Sequence, residues 1–285
     1  MCVLVTGALG NVGRAVVDAC DELGLALRAT DLDRERVRSR FPSHDAAALD
    51  FLDRATWAPA LEGCDRVFLL RPPPIGDMER TLIPFVDAAY EAGVAHVVFL
   101  SVAGAEERSW VPHRKVELHL MARGRGYTIL RPGFFAQNLE DAYRRDIVED
   151  ARLYVPAGRG RVAFVDVRDI GRAAARVLVT PREYETQALT LTGPRAFTFE
   201  EAARLLSETV DRAVRYEAAS IPGYAWHLRV HRRMPWMQIA VQTILHVGLR
   251  KGDAEAVDPT LERILGERPR DLAQYVRDRA EVWRG

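Results

Sequence analysis

Short apolar runs alternate with amphipathic stretches through the first half of the chain. Val3-Leu4-Val5 is apolar and stops at Thr6-Gly7. Asn11 to Leu23 then carries Val12, Ala15, Val16 and Ala19 at three-and-four spacing, which predicts a helix. Leu25–Thr30, Ala46–Leu49 and Val67–Leu70 read as the second, third and fourth strands. A helix is expected from about Met78 to Ala92, with Leu82, Phe85, Val86 and Ala89 on its inner face and Gly93 ending it. Val97–Leu100 and Tyr127–Leu130 predict two more strands, with a helix reaching Ala122 between them. Apolar runs of four or five residues separated by helices imply a parallel sheet buried on both faces.

The rhythm loosens after Arg131-Pro132-Gly133. A helix over Phe134–Val148, a strand at Arg152–Val155 and an apolar stretch at Val162–Val165 are expected. Asp166 is placed to cap a helix running to Leu178. A strand at Ala188–Leu191 and helices near Phe199–Val210, Gly223–Leu249, Pro259–Leu265 and Asp271–Val282 complete the pattern.

The segment Thr6-Gly7-Ala8-Leu9-Gly10-Asn11-Val12-Gly13 joins the first strand to the first helix. In that context three glycines point to a dinucleotide turn. Gly7 permits the tight bend, Gly10 lets a pyrophosphate approach the backbone, and Gly13 lets helix and strand pack closely. Amides at the helix opening then face the phosphates. Asp31, after the second strand, fits an acceptor for the adenosine ribose hydroxyls and would repel a 2′-phosphate. That favours NAD(H) slightly over NADP(H). Arg34 or Arg36 could instead swing onto a 2′-phosphate, or both could lie on a solvated helix face. Asp50 and Phe51 follow the third strand, where an acid and a ring can hold an adenine, although Asp50 or Asp53 would serve equally as a helix cap.

The fold class is therefore α/β, a Rossmann doubly wound parallel sheet with a smaller, mostly helical C-terminal substrate lobe. The expected partition is 1–132 plus about 161–182 for the NAD(P)-binding domain, and about 133–160 plus 183–285 for the lobe.

Composition narrows the function classes. Across 285 residues the formal net charge is zero, which argues against nucleic-acid binding. The cysteines Cys2, Cys20 and Cys64 are odd in number and irregularly spaced, so a reduced, cytoplasmic chain is expected. No Cys/His cluster has zinc spacing, and His227 and His231 lack an evident third ligand, so no metal is expected. The apolar stretch Trp236–Leu249 is interrupted by Gln238, Gln242 and His246 and is too short for a membrane span. No secretory leader and no membrane partner are expected.

The chain resembles the NmrA-like group of atypical short-chain dehydrogenases/reductases, which includes quinone oxidoreductase type 2 and triphenylmethane-dye reductases. The resemblance runs through the glycine turn, Asp65–Leu70 with the prolines after it, Val97–Ser101, Tyr127–Leu139, Phe164–Gly171 and Leu189–Pro194. It implies that NAD(P) lies over Gly7, Leu9, Gly10, Asn11, Val12 and Gly13. It implies that Leu70, Arg71 and Pro72 pass near the pyrophosphate and nicotinamide ribose, with Pro132 and Phe134 bordering the nicotinamide. Arg71 would contact the pyrophosphate or cap the strand edge.

Most short-chain dehydrogenases pair a tyrosine with a lysine four residues on. By resemblance those slots hold His113 and Glu117 here. His113 would donate a proton near neutral pH, with Glu117 orienting the ring or raising its pKa. Ser101 ends the fifth strand as a substrate-side hydroxyl or as a simple strand-end partner. Phe135, Asn138, Tyr143, Tyr224, Trp226 and Trp236 are expected to contact an aromatic or carbonyl small molecule, or to build the lobe's core. The expected activity is NAD(P)H-dependent reduction of an aromatic, quinone-like or enone/carbonyl compound by a monomer or homodimer. A redox-sensing regulator and a non-redox biosynthetic enzyme stay open as alternatives.

Overall fold

The computed structural model describes residues 2–284, which fall into two compact units. The first comprises Met1–Pro132, Val167–Leu191 and Thr260–Glu267; the second comprises Gly133–Asp166, Thr192–Pro259 and Arg268–Gly285.

The elements of the first unit begin with β1 (Val3–Val5), α1 (Asn11–Glu22), β2 (Leu27–Asp31), α2 (Arg34–Arg40), β3 (Asp45–Ala48), α3 (Trp57–Leu61) and β4 (Arg66–Leu70). They continue with α4 (Leu82–Glu91), β5 (His96–Leu100), α5 (Pro112–Arg123) and β6 (Gly126–Pro132). All-parallel pairing gives the strand order β3-β2-β1-β4-β5-β6-β9, where β9 is Gln187–Leu191. The chain steps outward from β1 to β3 and then returns to the other side of β1. The carboxyl ends of β1 and β4 therefore flank a topological switch point, where such sheets bind ligands. Val3, Leu4 and Val5 are fully buried, as a strand covered on both faces requires.

The second unit is built from α6 (Asn138–Asp141), α7 (Arg144–Asp150), β7 (Arg152–Val155), β8 (Arg161–Val162), β10 (Phe197–Thr198), α10 (Phe199–Val210), β11 (Arg215–Ala218), α11 (Ile221–Val230), α12 (Trp236–Arg250) and α14 (Leu272–Asp278). Two small pairings, β7 with β11 and β8 with β10, accompany the helices. Its core includes Phe134, Leu139, Tyr143, Phe164, Phe199 and Tyr224.

Several expectations need correction. Phe134–Val148 is not one helix, because Phe135 bridges Val165 and the Ala136 N–H donates to Val165 O at 2.9 Å. That keeps the start of the segment extended. Gly223–Leu249 is two helices, interrupted where Arg233 takes φ +52° and Pro235 precedes α12. The expected boundary at 182 also moves. Residues 187–191 pair with β6 as the seventh strand and so belong to the first unit. So does α13 (Thr260–Leu265), which packs on α8 (Val167–Val179). The short helix α9 (Pro181–Tyr184) leads from α8 into β9.

Candidate cofactor and active site

The glycine turn is shaped by contact. Gly7 takes φ +63°, in the left-handed region that glycine enters at no steric cost. A Cβ on Gly13 would stand 2.0 Å from Gly7 O, so no larger residue fits without moving the turn. Gly10 caps α1 with φ −81° and ψ 169° and, being glycine, brings no side-chain cap of its own. Helix-opening amides lack partners within their own helix, so α1 presents donors and a positive dipole end. This cradle fits a diphosphate. Leu9 N–H donates to Asp31 Oδ2 at 3.1 Å and Leu32 N–H to Oδ1 at 2.8 Å. The carboxylate thus ties the glycine turn to the end of β2, and each oxygen keeps further acceptor capacity. Leu70 N–H donates to Thr6 Oγ1 at 3.0 Å, and the Leu70 side chain packs over Gly7.

The adenine-side candidates divide. Arg34 Nε donates to Ala46 O at 3.0 Å, which commits part of the guanidinium to β3. Asp50 folds its own loop: Oδ1 accepts from Leu52 N at 2.8 Å and its carbonyl from Trp57 Nε1 at 2.9 Å. Phe51 is a correction. Its ring is 4% exposed and meets Phe85 edge-on at 5.1 Å, so it serves the core and offers no face to a base.

Arg71 is engaged by its own loop. Its guanidinium donates to the carbonyls of Pro72, Pro73 and Ile75, at 3.3, 3.1 and 2.6 Å, and holds the proline loop in a curl. Its Nε donates to His113 Nε2 at 3.3 Å. Guanidinium has no acceptor atom, so Nε2 carries the lone pair and the neutral ring keeps its proton on Nδ1. That buried Nδ1 has no hydrogen-bond partner. Burial and then the Arg71 charge push the His113 pKa down to about 4, and Glu117 offsets only part of this. His113 is therefore neutral at pH 7, against the expectation of a proton-loaded ring.

Glu117 does not orient His113. It is 0% exposed and receives four hydrogen bonds: Ser101 Oγ to Oε1 at 2.6 Å, Arg131 Nε to Oε1 at 2.9 Å, Arg131 Nη2 to Oε2 at 2.8 Å and Arg114 Nη1 to Oε2 at 2.9 Å. Burial alone would raise its pKa, but the hydrogen bonds from Arg131, Ser101 and Arg114 outweigh it and hold the carboxyl below its ordinary value. The Ser101 proton is committed to this carboxylate, leaving only acceptor capacity on the hydroxyl. This ion-pair hub fastens α5 to the ends of β5 and β6. Sequence reasoning passed over Arg131 and Arg114. The available signal was a charged residue inside the otherwise apolar β6 run, since a buried charge demands a partner. Pro132 closes β6, with its carbonyl accepting from Ala103 N at 2.9 Å.

Among the second-unit candidates, Phe134 meets Phe164 edge-on at 5.6 Å within the core. Tyr143 and Tyr224 are also corrections to the expected pocket wall. Tyr143, 3% exposed, donates to His246 Nε2 at 2.5 Å, because His246 Nδ1–H is given to Gln242 O at 2.6 Å. Tyr224 donates to Gln242 Oε1 at 3.0 Å. These form a closed polar network inside the core, and burial pushes the His246 pKa down to about 4. Phe135 and Asn138 are half-buried, while Trp226 and Trp236 are 67% and 65% exposed. No group of three or more metal-ligating side chains occurs among the described residues. Nor is any described helix long and apolar enough to cross a membrane.

Switch point, glycine turn and the parallel sheet together define a Rossmann-type α/β fold. A profile of the NmrA-like family matches residues 1–278, and the chain belongs to that family. It is similar to an NAD(P)H azoreductase of Xenophilus azovorans, 33% identical over 77% of this chain and 77% of that one. Its fold matches an NADPH-dependent quinone oxidoreductase of Escherichia coli solved with NADPH, at TM-score 0.86 and 24% identity over 97% and 98% of the two chains. It also matches a Citrobacter triphenylmethane reductase complexed with NADP(H), at TM-score 0.86 and 23% identity over 98% and 99%.

Proposed function

We propose that this chain is an NAD(P)H-dependent oxidoreductase that reduces a conjugated small molecule: a quinone, an azo or triphenylmethane dye, or an enone. The observation that carries the reading is the glycine turn at the opening of α1, which bends at Gly7 with φ +63° and admits no side chain at Gly13. The family and its reductase relatives support it. Gly7, Leu9, Gly10, Asn11, Val12 and Gly13 would hold the diphosphate, with Leu70, Arg71, Pro72 and Pro132 around the remainder of the cofactor. The bound cofactor supplies a hydride.

Acceptors of this class need orientation more than acid, because hydride addition gives a delocalised product. The chain fits that demand. Ser101 and Glu117 are consumed in the hub, and His113 is held neutral with one unsatisfied donor, Nδ1–H. We assign His113 the role of a neutral hydrogen-bond donor to the bound reactants. Phe135 and Asn138, both half-buried, are candidates for acceptor contacts. Asp31 favours NADH over NADPH through repulsion of a 2′-phosphate. Asp31→Ala should then weaken NADH more than NADPH, and an equal loss would remove Asp31 from the ribose.

The test is loss of NADH and NADPH absorbance with a panel of quinones, azo dyes, triphenylmethane dyes and enones. Turnover with at least one acceptor is expected. Tight cofactor binding without turnover on any acceptor would instead support a redox-sensing protein, which the missing acid also allows.

A further inference from the structure

Two cysteines outside the cofactor site lie in contact. Cys2 Sγ and Cys64 Sγ are 3.4 Å apart, between the start of β1 and the residue pair leading into β4. The backbones that carry them are pinned: Cys2 N–H donates to Asp65 Oδ1 at 2.7 Å, and Asp65 N–H donates to Cys2 O at 3.0 Å. Both thiols are free, Cys2 half-buried and Cys64 buried. Cys20, the third, is fully buried and burial pushes its thiol up to about 12.

We propose that Cys2 and Cys64 are an oxidation site, a dithiol that closes to an intrachain disulfide when the protein meets a hydroperoxide. Sulfurs already in contact need little more than rotation about the side-chain bonds to reach bonding distance. Cys2 is the more exposed residue of the two, so it reacts first. Its thiolate attacks the peroxide, the O–O bond breaks, and Cys2 becomes a sulfenic acid while an alcohol or water leaves. Cys64 sulfur then displaces the sulfenic oxygen. The S–S bond forms, and that oxygen departs as water with the Cys64 proton. Two electrons pass from the thiols to the peroxide and nothing else is consumed. Burial pushes the Cys64 thiol up to about 12, a contact with Cys2 adds to this, and the nearby Arg28 charge works the other way. Arg28 is itself held in place by Ala60 O at 2.9 Å and Glu62 O at 2.7 Å. Cys64 therefore suits the resolving role better than the attacking one.

The bond would tie together the two strands that flank the switch point, at the ends opposite the glycine turn. It would enclose all of β1 through α3 in one covalent loop. Such a loop restricts the unfolded chain, so oxidation should stabilise the first unit without blocking the cofactor cradle.

The experiment treats the fully reduced protein with one equivalent of hydrogen peroxide, alkylates the remaining thiols and maps peptides without reductant. A mass loss of about 2 Da before alkylation and joined Cys2 and Cys64 peptides are expected. Thiol titration in denaturant should fall from three groups to one. The melting temperature should rise and return on adding dithiothreitol. The Cys20→Ser variant should behave the same way, and Cys64→Ser should leave a Cys2 sulfenic acid that dimedone traps. Three persisting thiols would overturn the proposal, as would overoxidised Cys2 beside free Cys64, or a bond between two chains. A crosslink without a rise in melting temperature would overturn the stabilising role.

Discussion

At the residue scale the decisive feature is the pair His113 and Glu117, four residues apart on α5. Glu117 became the centre of a buried ion pair, and His113 became a neutral ring braced by Arg71. Removing the charge at Glu117 leaves Arg131 only the exposed Glu106 as a carboxylate partner, and sets Arg114 beside an amide. Breaking a buried pair from one side costs about 3–5 kcal/mol. Glu117→Gln should therefore lower the unfolding free energy by about 3 kcal/mol, read by denaturant titration. A loss under about 1 kcal/mol would mean the hub is dispensable. The His113 prediction concerns pH. With its pKa near 4, the ring does not titrate between about pH 5.5 and 8. The profile of kcat/KM should be flat there, and His113→Phe should lower it without changing its shape. A limb near pH 6.5 that vanishes in His113→Phe would show a protonated acid at work.

At the element scale, α1 and its approach carry the binding claim. Gly13→Ala places a methyl group 2.0 Å from Gly7 O, so the turn must open or the helix must shift. Its melting temperature should fall by several degrees in a thermal scan, and an unchanged value would deny the close packing. This part of the protein was legible from sequence because its causes are local. Strand, turn and helix follow one another within residues 3–22, and each glycine answers a neighbour in the chain. Strands β4, β5 and β6 were legible for the same reason, as apolar runs with punctuation. The second unit was legible only in part: Arg152–Val155 and Phe199–Val210 form as expected, but its connections do not. Phe134–Gln137 reads as the start of a helix, yet its backbone pairs with Val165, a partner that no periodicity reveals. Glu117 was placed by spacing on one face with His113, but its bonding is decided by Ser101, just past β5, and Arg131 on β6. Tyr143 and Tyr224 have the composition of a pocket wall. Only the position of His246 and Gln242 shows them to be core.

At the scale of the whole molecule, buried neutral histidines set the acid limit. His96, His113 and His246 are each pushed down to about 4, in every case chiefly by burial. Between about pH 6.5 and 4 the unfolded chain binds protons at these rings that the folded chain does not. Stability is therefore full above pH 6.5 and falls as the pH drops through that window. His246 alone, 2% exposed, accounts for roughly 3 kcal/mol by pH 4. Chemical denaturation at pH 7.5 and 4.5 should show this loss, smaller in His246→Gln than in the parent. Equal stability at both values would contradict the neutral assignment.

The reading rests most heavily on backbone amides of α1 receiving a diphosphate, and Gly10 separates that claim from folding. Its φ of −81° suits any residue, and a Cβ there would meet only Gly7 O, at 3.4 Å. Alanine should fold normally yet stand where the pyrophosphate must approach. Calorimetric titration of NADH and NADPH into the parent and into Gly10→Ala is the direct measurement. The parent should bind at least one of them, and the variant, at near-parental melting temperature, should bind at least tenfold more weakly, a difference of about 1.4 kcal/mol. Equal affinity in both proteins, or no binding of either cofactor to the parent, would contradict the account.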